Sequence, residues 1–76
     1  MFEFTTDKKD SLLKLANRVK ELRAEKGLSQ EQCYELTGIN FSRIERGVAD
    51  IRYTTILNLC EFFEISPKNF LEDITL

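Results

Sequence analysis

Two arginines, Arg43 and Arg46, lie three residues apart in the short segment between Gly38 and Gly47. Side chains at this spacing share one face of a helix. The residues from Gly27 to Gly38 form another short helical pattern, so the sequence predicts a helix, a tight turn and a helix that presents guanidinium groups. Guanidinium groups are well suited to binding nucleic acids. This arrangement therefore indicates a nucleic-acid partner.

The chain offers little for catalysis. It has no histidine, no glycine-rich phosphate loop and no cysteine in a basic setting. Glu31 and Glu35 lie four residues apart on a predicted helix, but such a pair is more often a solvated helical face than a catalytic pair. Cys33 and Cys60 are far apart and occupy apolar positions, which favours reduced, buried thiols over a metal site. We expect no enzymatic activity, no metal, no cofactor and no small-molecule substrate.

The composition favours one small helical domain. A chain of 76 residues suffices for a single domain, and 42% hydrophobic with 32% charged residues fits a soluble helical protein. No apolar run approaches the roughly 20 residues of a membrane-spanning helix, and residues 1–7 lack the pattern of a secretion signal. We therefore expect a cytoplasmic protein without a membrane partner.

Charge is distributed unevenly around a net value of -2. Residues 8–52 hold ten Lys or Arg against seven Asp or Glu, whereas residues 53–76 hold one lysine against four acids. The basic part includes the segment with the two arginines, and an acidic end that faces away from a polyanion would cost little. Ordinary solvated faces explain the same asymmetry almost as well.

Hydrophobic periodicity predicts an all-α fold with five helices. Helix 1 should run from about Asp10 or Ser11 to Lys26, with Arg18 outside its apolar stripe, and Gly27 should end it. The only possible strand is at residues 2–4, which could equally be a frayed arm. We divide the chain into an N-terminal arm at residues 1–9, a helical domain at 10–72 and a C-terminal tail at 73–76.

Local capping signals predict the boundaries of the later helices. Ser29 and Gln32 have the spacing of a capping box, so helix 2 should begin at residue 30 and end before the glycine at 38. Asn40 is a good cap for a helix 3 of about residues 41–46. Helix 4 should contain about ten residues and begin at Tyr53, which we expect in its apolar stripe. Helix 5 should follow Ser66, with Leu71 on its buried face.

Four short segments carry a resemblance to a known family. They are LRAEKGLSQEQ, TGIN, SRIERG and EISPKNFLED, and they occur in this order. With them the chain, over roughly residues 15–72, resembles the Cro and phage-repressor type of helix-turn-helix protein, also called the XRE family. The resemblance implies a compact five-helix, lambda-repressor-like DNA-binding domain. It also implies a homodimeric transcriptional regulator whose partner is double-stranded DNA.

The resemblance also implies roles for individual residues. It implies that residues at the start of helix 2 and at or after the end of helix 3 contact DNA phosphates: Ser29, Gln30, Arg46 and Arg52. It implies that helix 3 enters the major groove. The residues that would contact bases there are Asn40, Ser42 and Arg43. Finally, it implies a buried structural ion pair between Arg23 and Glu45. Each of these two side chains would be costly inside the protein without the other.

Three departures from the family pattern bear on base recognition. Gly38 and Gly47 leave eight residues between them, about three fewer than the family pattern usually has. The missing residues come from the N-terminal part of helix 3, which normally inserts deepest into the major groove. Tyr34 replaces the usual alanine, and we interpret it as filling the volume that the shorter helix vacates while its hydroxyl stays near water. Asp50 and its two predecessors stand where basic residues often contact phosphates.

These departures keep a second interpretation open. The chain could be a protein-interaction module, an accessory or antitoxin-like subunit that retains the fold with weakened base reading. Its partner would then bind the acidic C-terminal half, or an apolar patch near Phe62, Ile74 and Leu76.

Overall fold

Five helices make up the fold, in agreement with the predicted all-α class. The computed structural model describes the backbone of residues 1–75 and the side chains of residues 1–72, and within these residues there is no strand. The helices are α1 (Lys8–Lys26), α2 (Gln30–Thr37), α3 (Phe41–Glu45), α4 (Tyr53–Phe62) and α5 (Pro67–Thr75). No helix in the described part is long and apolar enough to span a membrane.

The first helix begins earlier than its periodicity predicts. Asp7 has an extended backbone, and its side chain accepts a hydrogen bond from the Asp10 amide at 3.2 Å. This N-cap starts α1 at Lys8, because a capped donor stabilises the first turn whether or not that turn carries apolar residues. The described arm is therefore residues 1–7, and its Phe2 and Phe4 side chains are exposed.

The core lies where α1 and α3 meet α4 and α5. Every helix contributes to it, and its fully or nearly fully buried members are Val19, Leu22, Cys33, Phe41, Ile44, Ala49, Leu59, Cys60 and Phe70. Phe41, the first residue of α3, contacts Phe62 and Phe63 edge-on, with ring centroids 6.2 and 6.0 Å away. The start of the short helix is thus anchored by aromatic packing.

Both cysteines are free and buried in this core. Burial raises the pKa of each thiol, and for Cys33 the positive charge of Arg23 opposes this effect only in part. The raised pKa favours the protonated thiol, which is the less nucleophilic form.

Arg18 corrects the predicted solvent face of α1. Its side chain is 7% exposed, and its Nε and Nη2 atoms donate to the backbone carbonyls of Phe70 and Asn69 at 3.2 and 3.3 Å. Its Nη1 atom also pairs with Glu21 at 2.8 Å. Arg18 thus joins α1 to α5, a contact that periodicity along one helix does not reveal.

The apolar stripes of α4 and α5 are narrower than predicted. Tyr53 is 72% exposed and Leu71 is 40% exposed, so neither continues the buried face of its helix. The side chain of Ile74 and all of Leu76, which belong to the predicted interaction patch, lie outside the described residues. Phe62, the third member of that patch, is half-buried.

Candidate nucleic-acid interface

The turn between α2 and α3 is built by Gly38 and its neighbours. Gly38 has φ +75°, a left-handed conformation that favours glycine, and its amide donates to the Tyr34 carbonyl at 2.7 Å. The Thr37 hydroxyl donates to the Cys33 carbonyl at 2.7 Å and accepts from the Ile39 amide at 3.0 Å. These bonds hold the chain between the two helices in one conformation.

The capping box at the start of α2 is present. The Ser29 hydroxyl accepts from the Gln32 amide at 3.0 Å, and the Gln32 side chain accepts from the Ser29 amide at 2.8 Å. Ser29 itself is exposed. Its hydroxyl hydrogen therefore remains available to donate to an anion at this helix N-terminus.

An ion pair ties the end of α1 to the end of α3. Arg23 Nε lies 2.7 Å from Glu45 Oε2, and Arg23 Nη2 lies 2.9 Å from Glu45 Oε1. The remaining Nη1 atom donates to the Leu28 carbonyl at 2.8 Å. The Glu45 side chain is 3% exposed and that of Arg23 is 17% exposed, so this bidentate pair is largely shielded from water.

Gln30 completes this network. Its Nε2 atom donates one of its two hydrogens to Glu45 Oε1 at 3.1 Å, and the other hydrogen is left for a phosphate. Burial alone would raise the pKa of Glu45, but hydrogen bonds from Arg23 and Gln30, with the charges of Arg23 and Lys20, lower it below its ordinary value. The hydrogen bond to Glu45 raises the pKa of Arg23 in turn, and both groups stay ionised.

Helix α3 exposes the three predicted base-contact residues. Asn40, Ser42 and Arg43 are all exposed. However, Asn40 Oδ1 caps α3 by accepting from the Arg43 amide at 3.0 Å. A bidentate contact with adenine needs the oxygen and the nitrogen of the asparagine amide, so Asn40 would have to use the second lone pair of its capping oxygen together with its Nδ2 donor.

Arg43 and Arg52 border the same surface depression. This depression has a volume of about 490 Å³, and it is lined in part by Asn40, Arg43, Asp50, Arg52 and Thr55. The fold therefore brings Arg52 next to α3, although six residues separate it from the last helical residue. The carboxylate of Asp50 lies among these cations and also pairs with Lys8 at 3.8 Å.

Arg46 borders a different groove. It follows the last residue of α3, and it lines an apolar groove of about 520 Å³ together with Lys8, Lys9 and Val48. Within the described side chains, neither Arg43 nor Arg46 forms an ion pair. The two lysines were not among the predicted contacts, because only the packing of α1 against α3 brings them near Arg46.

Tyr34 lies beside the start of α3, on the side of α2 that the shorter helix leaves uncovered. It is 55% exposed and lines a groove of about 350 Å³ with residues at the start of α3, among them Asn40 and Ser42. The space beside the ring is an open groove, so the ring is only partly shielded from water. An exposed aromatic ring therefore lies beside the predicted base-contact residues.

The comparison with known families agrees with this geometry. Residues 19–70, more than half of the chain, match the family model described as helix-turn-helix. No curated protein and no solved structure gives a significant match. The matched range begins within α1 and includes the ion pair, both helices around Gly38 and most of the core. The chain therefore belongs to the helix-turn-helix family of the Cro and phage-repressor (XRE) type, which is a family of DNA-binding domains.

Proposed function

We infer that this protein is a sequence-specific transcriptional regulator that binds DNA as a homodimer. Helix α2 crosses the phosphate backbone, and α3 enters the major groove. The observation that carries this proposal is the exposure of Asn40, Ser42 and Arg43 together at the start and middle of α3, next to Arg52. The family binds DNA and is not known for catalysis, which supports a binding function without a cofactor.

Base recognition depends mainly on Arg43. Its exposed guanidinium group can donate two hydrogen bonds to O6 and N7 of guanine. Ser42 contributes a hydroxyl that can donate or accept, and Asn40 contributes the Nδ2 donor that capping leaves free. Three side chains on a helix of five residues read few base pairs, so each of them matters for specificity.

Phosphate contacts position this short helix. Ser29 and the backbone amide of Gln30 lie at the start of α2, where the helix dipole favours an anion. Arg46 and Arg52 add charge on either side of α3. Lys8 and Lys9 extend the basic surface on the Arg46 side. The nearby carboxylate of Asp50 lowers the net positive charge of this surface.

A homodimer supplies the affinity that one copy lacks. Two copies related by a two-fold axis would place their α3 helices about 34 Å apart along the duplex, one turn of DNA. Binding would then be cooperative in protein concentration, and the preferred sequence would be a palindrome. We also propose a cytoplasmic location, which would give the protein access to its DNA.

A selection from random duplex DNA at two salt concentrations tests this function. We expect enrichment of a palindromic sequence, and affinity that falls with rising salt. The variant Arg43→Ala should lose preference at one base pair of each half-site, with a cost of about 1–3 kcal/mol for the preferred base. By contrast, Arg46→Ala should weaken all sequences alike. Lys68→Ala on α5 removes an exposed charge far from α3 in sequence and is the control.

A protein-interaction module remains the second candidate. The brevity of α3 and the carboxylate of Asp50 among the cations favour it. If no duplex is enriched at low salt, the regulator proposal fails and this candidate replaces it. If Arg43→Ala leaves the selected sequence unchanged, DNA binding stands but α3 does not read bases.

A further inference from the structure

The groove between α2 and α3 occupies the place where base recognition normally begins. It is lined by Gln30, Glu31, Tyr34, Asn40, Phe41 and Ser42, and its surface is mainly apolar. The last three of these residues are the N-cap and the first two residues of α3. In helix-turn-helix proteins the N-terminal residues of the second helix contact base edges. The groove therefore faces the DNA if the function proposed above is correct.

Tyr34 is the largest exposed side chain of this groove. It is 55% exposed, whereas its neighbour Cys33 is fully buried in the core. A ring in this position cannot be explained by core packing alone. Because α3 has only five residues, no preceding turn of that helix covers the ring.

The polar groups of the groove disfavour a phosphate there. None of its six lining residues is a lysine or an arginine, so the groove offers a phosphate no positive side chain. The exposed carboxylate of Glu31 would repel a phosphate oxygen. The mainly apolar wall instead suits an apolar group, and the apolar group on the major-groove edge of DNA is the C5-methyl of thymine.

We propose that Tyr34 is a specificity-determining residue whose ring contacts the C5-methyl group of a thymine. The contact supplies sequence preference that the shortened α3 does not supply. It rests on the proposed DNA-binding function. It requires the aromatic ring and not the hydroxyl group, because the methyl group offers no hydrogen-bonding partner.

Replacement of thymine by deoxyuridine removes this methyl group and nothing else. The duplex obtained from the selection would be prepared as a series in which one thymine at a time is replaced by deoxyuridine. Fluorescence anisotropy would then give the dissociation constant of each duplex for the unmodified protein and its variants. For the unmodified protein, we expect one thymine in each half-site whose replacement weakens binding roughly threefold to fivefold, the effect of returning one methyl group to water.

Three variants separate this contact from other roles. Tyr34→Ala should bind the thymine and deoxyuridine duplexes equally well, while Tyr34→Phe should discriminate as the unmodified protein does. The matched control is Leu36→Ala, because Leu36 is 65% exposed on the same helix but lies about 200° around it from Tyr34. This variant should keep full discrimination.

The outcomes distinguish this proposal from the function on which it rests. If the protein binds a selected duplex but Tyr34→Ala discriminates as strongly as the unmodified protein, only the Tyr34 contact is overturned. The same holds if no thymine position is sensitive, or if Tyr34→Phe loses as much discrimination as Tyr34→Ala. If no duplex is bound at all, the regulator function and the Tyr34 contact are both overturned.

Discussion

Replacement of Glu45 by alanine should destabilise the fold more than any surface substitution. Glu45 accepts hydrogen bonds from Arg23 Nε, Arg23 Nη2 and Gln30 Nε2, and its side chain is 3% exposed. In Glu45→Ala, the Arg23 guanidinium group keeps only the Leu28 carbonyl as a partner among the described residues. The variant thus leaves a charge largely buried and mostly unpaired.

The structure sets the size of this loss. Removal of one partner from a buried ion pair costs about 3–5 kcal/mol. The Arg23 side chain retains 17% of its exposure, so water can reach it in part and we expect the lower end of that range. A loss of about 3 kcal/mol lowers the Tm by about 12–24 °C, at about 4–8 °C per kcal/mol. A domain of this length has about 4–11 kcal/mol of stability in total, so the variant should be weakly folded.

Urea unfolding followed by circular dichroism measures this loss. The pair can also be replaced as a whole, by Arg23→Met with Glu45→Leu, which removes both charges and should lose less stability than Glu45→Ala alone. The control is the exposed pair of Lys14 and Asp10, 3.3 Å apart. Lys14→Ala should cost less than about 0.5 kcal/mol.

Two results would refute this reasoning. One is a loss of unfolding free energy below about 1 kcal/mol in Glu45→Ala, since a largely buried guanidinium group that loses its carboxylate partner should destabilise the fold by more than this. The other is a double variant that is less stable than Glu45→Ala. That result would mean that shape, and not the stranded charge, determines the cost.

Three further predictions concern pH, backbone conformation and surface charge. The pKa of Glu45 is lower in the folded than in the unfolded chain. Its contribution to stability is therefore present above the ordinary glutamate pKa and is lost as the pH falls through the folded value. In acid titrations, the free energy of unfolding of Glu45→Gln should fall less steeply with pH than that of the unmodified protein. Gly47→Ala should cost about 1–2 kcal/mol for its left-handed backbone. In urea unfolding it should cost slightly more than Gly27→Ala, because its added methyl would lie 2.7 Å from Leu13 Cδ2 and this exposed side chain would have to move aside, whereas a methyl at Gly27 meets nothing within 4 Å. Equal losses would contradict the clash with Leu13. Asp50→Asn should tighten DNA binding and make its salt dependence steeper in anisotropy titrations. The substitution frees Lys8 from its ion pair and removes a negative charge beside Arg52. An unchanged affinity would mean that this surface does not face the phosphates.

Helix boundaries were largely predictable from local signals. The start of α2 follows from Ser29 and Gln32, and its end follows from Gly38. These signals act between residues that are three or four positions apart, so they operate in the same way whatever the rest of the chain does. The predicted start of α1 is two or three residues too late because its cap, Asp7, precedes any apolar residue of the stripe.

The interface was predictable only in part. The exposure of Ser42, Arg43 and Arg46 agrees with a surface role for each of them. Asn40 was predicted both to cap α3 and to contact a base, and its oxygen forms the predicted cap, whereas the hydrogen bond from the Gln30 side chain to Glu45 was not foreseen. Both side chains have several possible partners, and sequence spacing does not say which partner lies within hydrogen-bonding distance.

Local sequence patterns were enough to identify a small all-α domain with a helix-turn-helix at residues 30–46. Periodicity, caps and glycines are sufficient for that, because they depend on neighbouring residues. Three features required the tertiary structure. Arg18 is buried against α5, and Lys8 and Lys9 lie near Arg46. Tyr34, on α2, is exposed beside the start of α3. Each of these depends on how separate helices pack, and the packing joins residues up to 52 positions apart through contacts that no local pattern encodes.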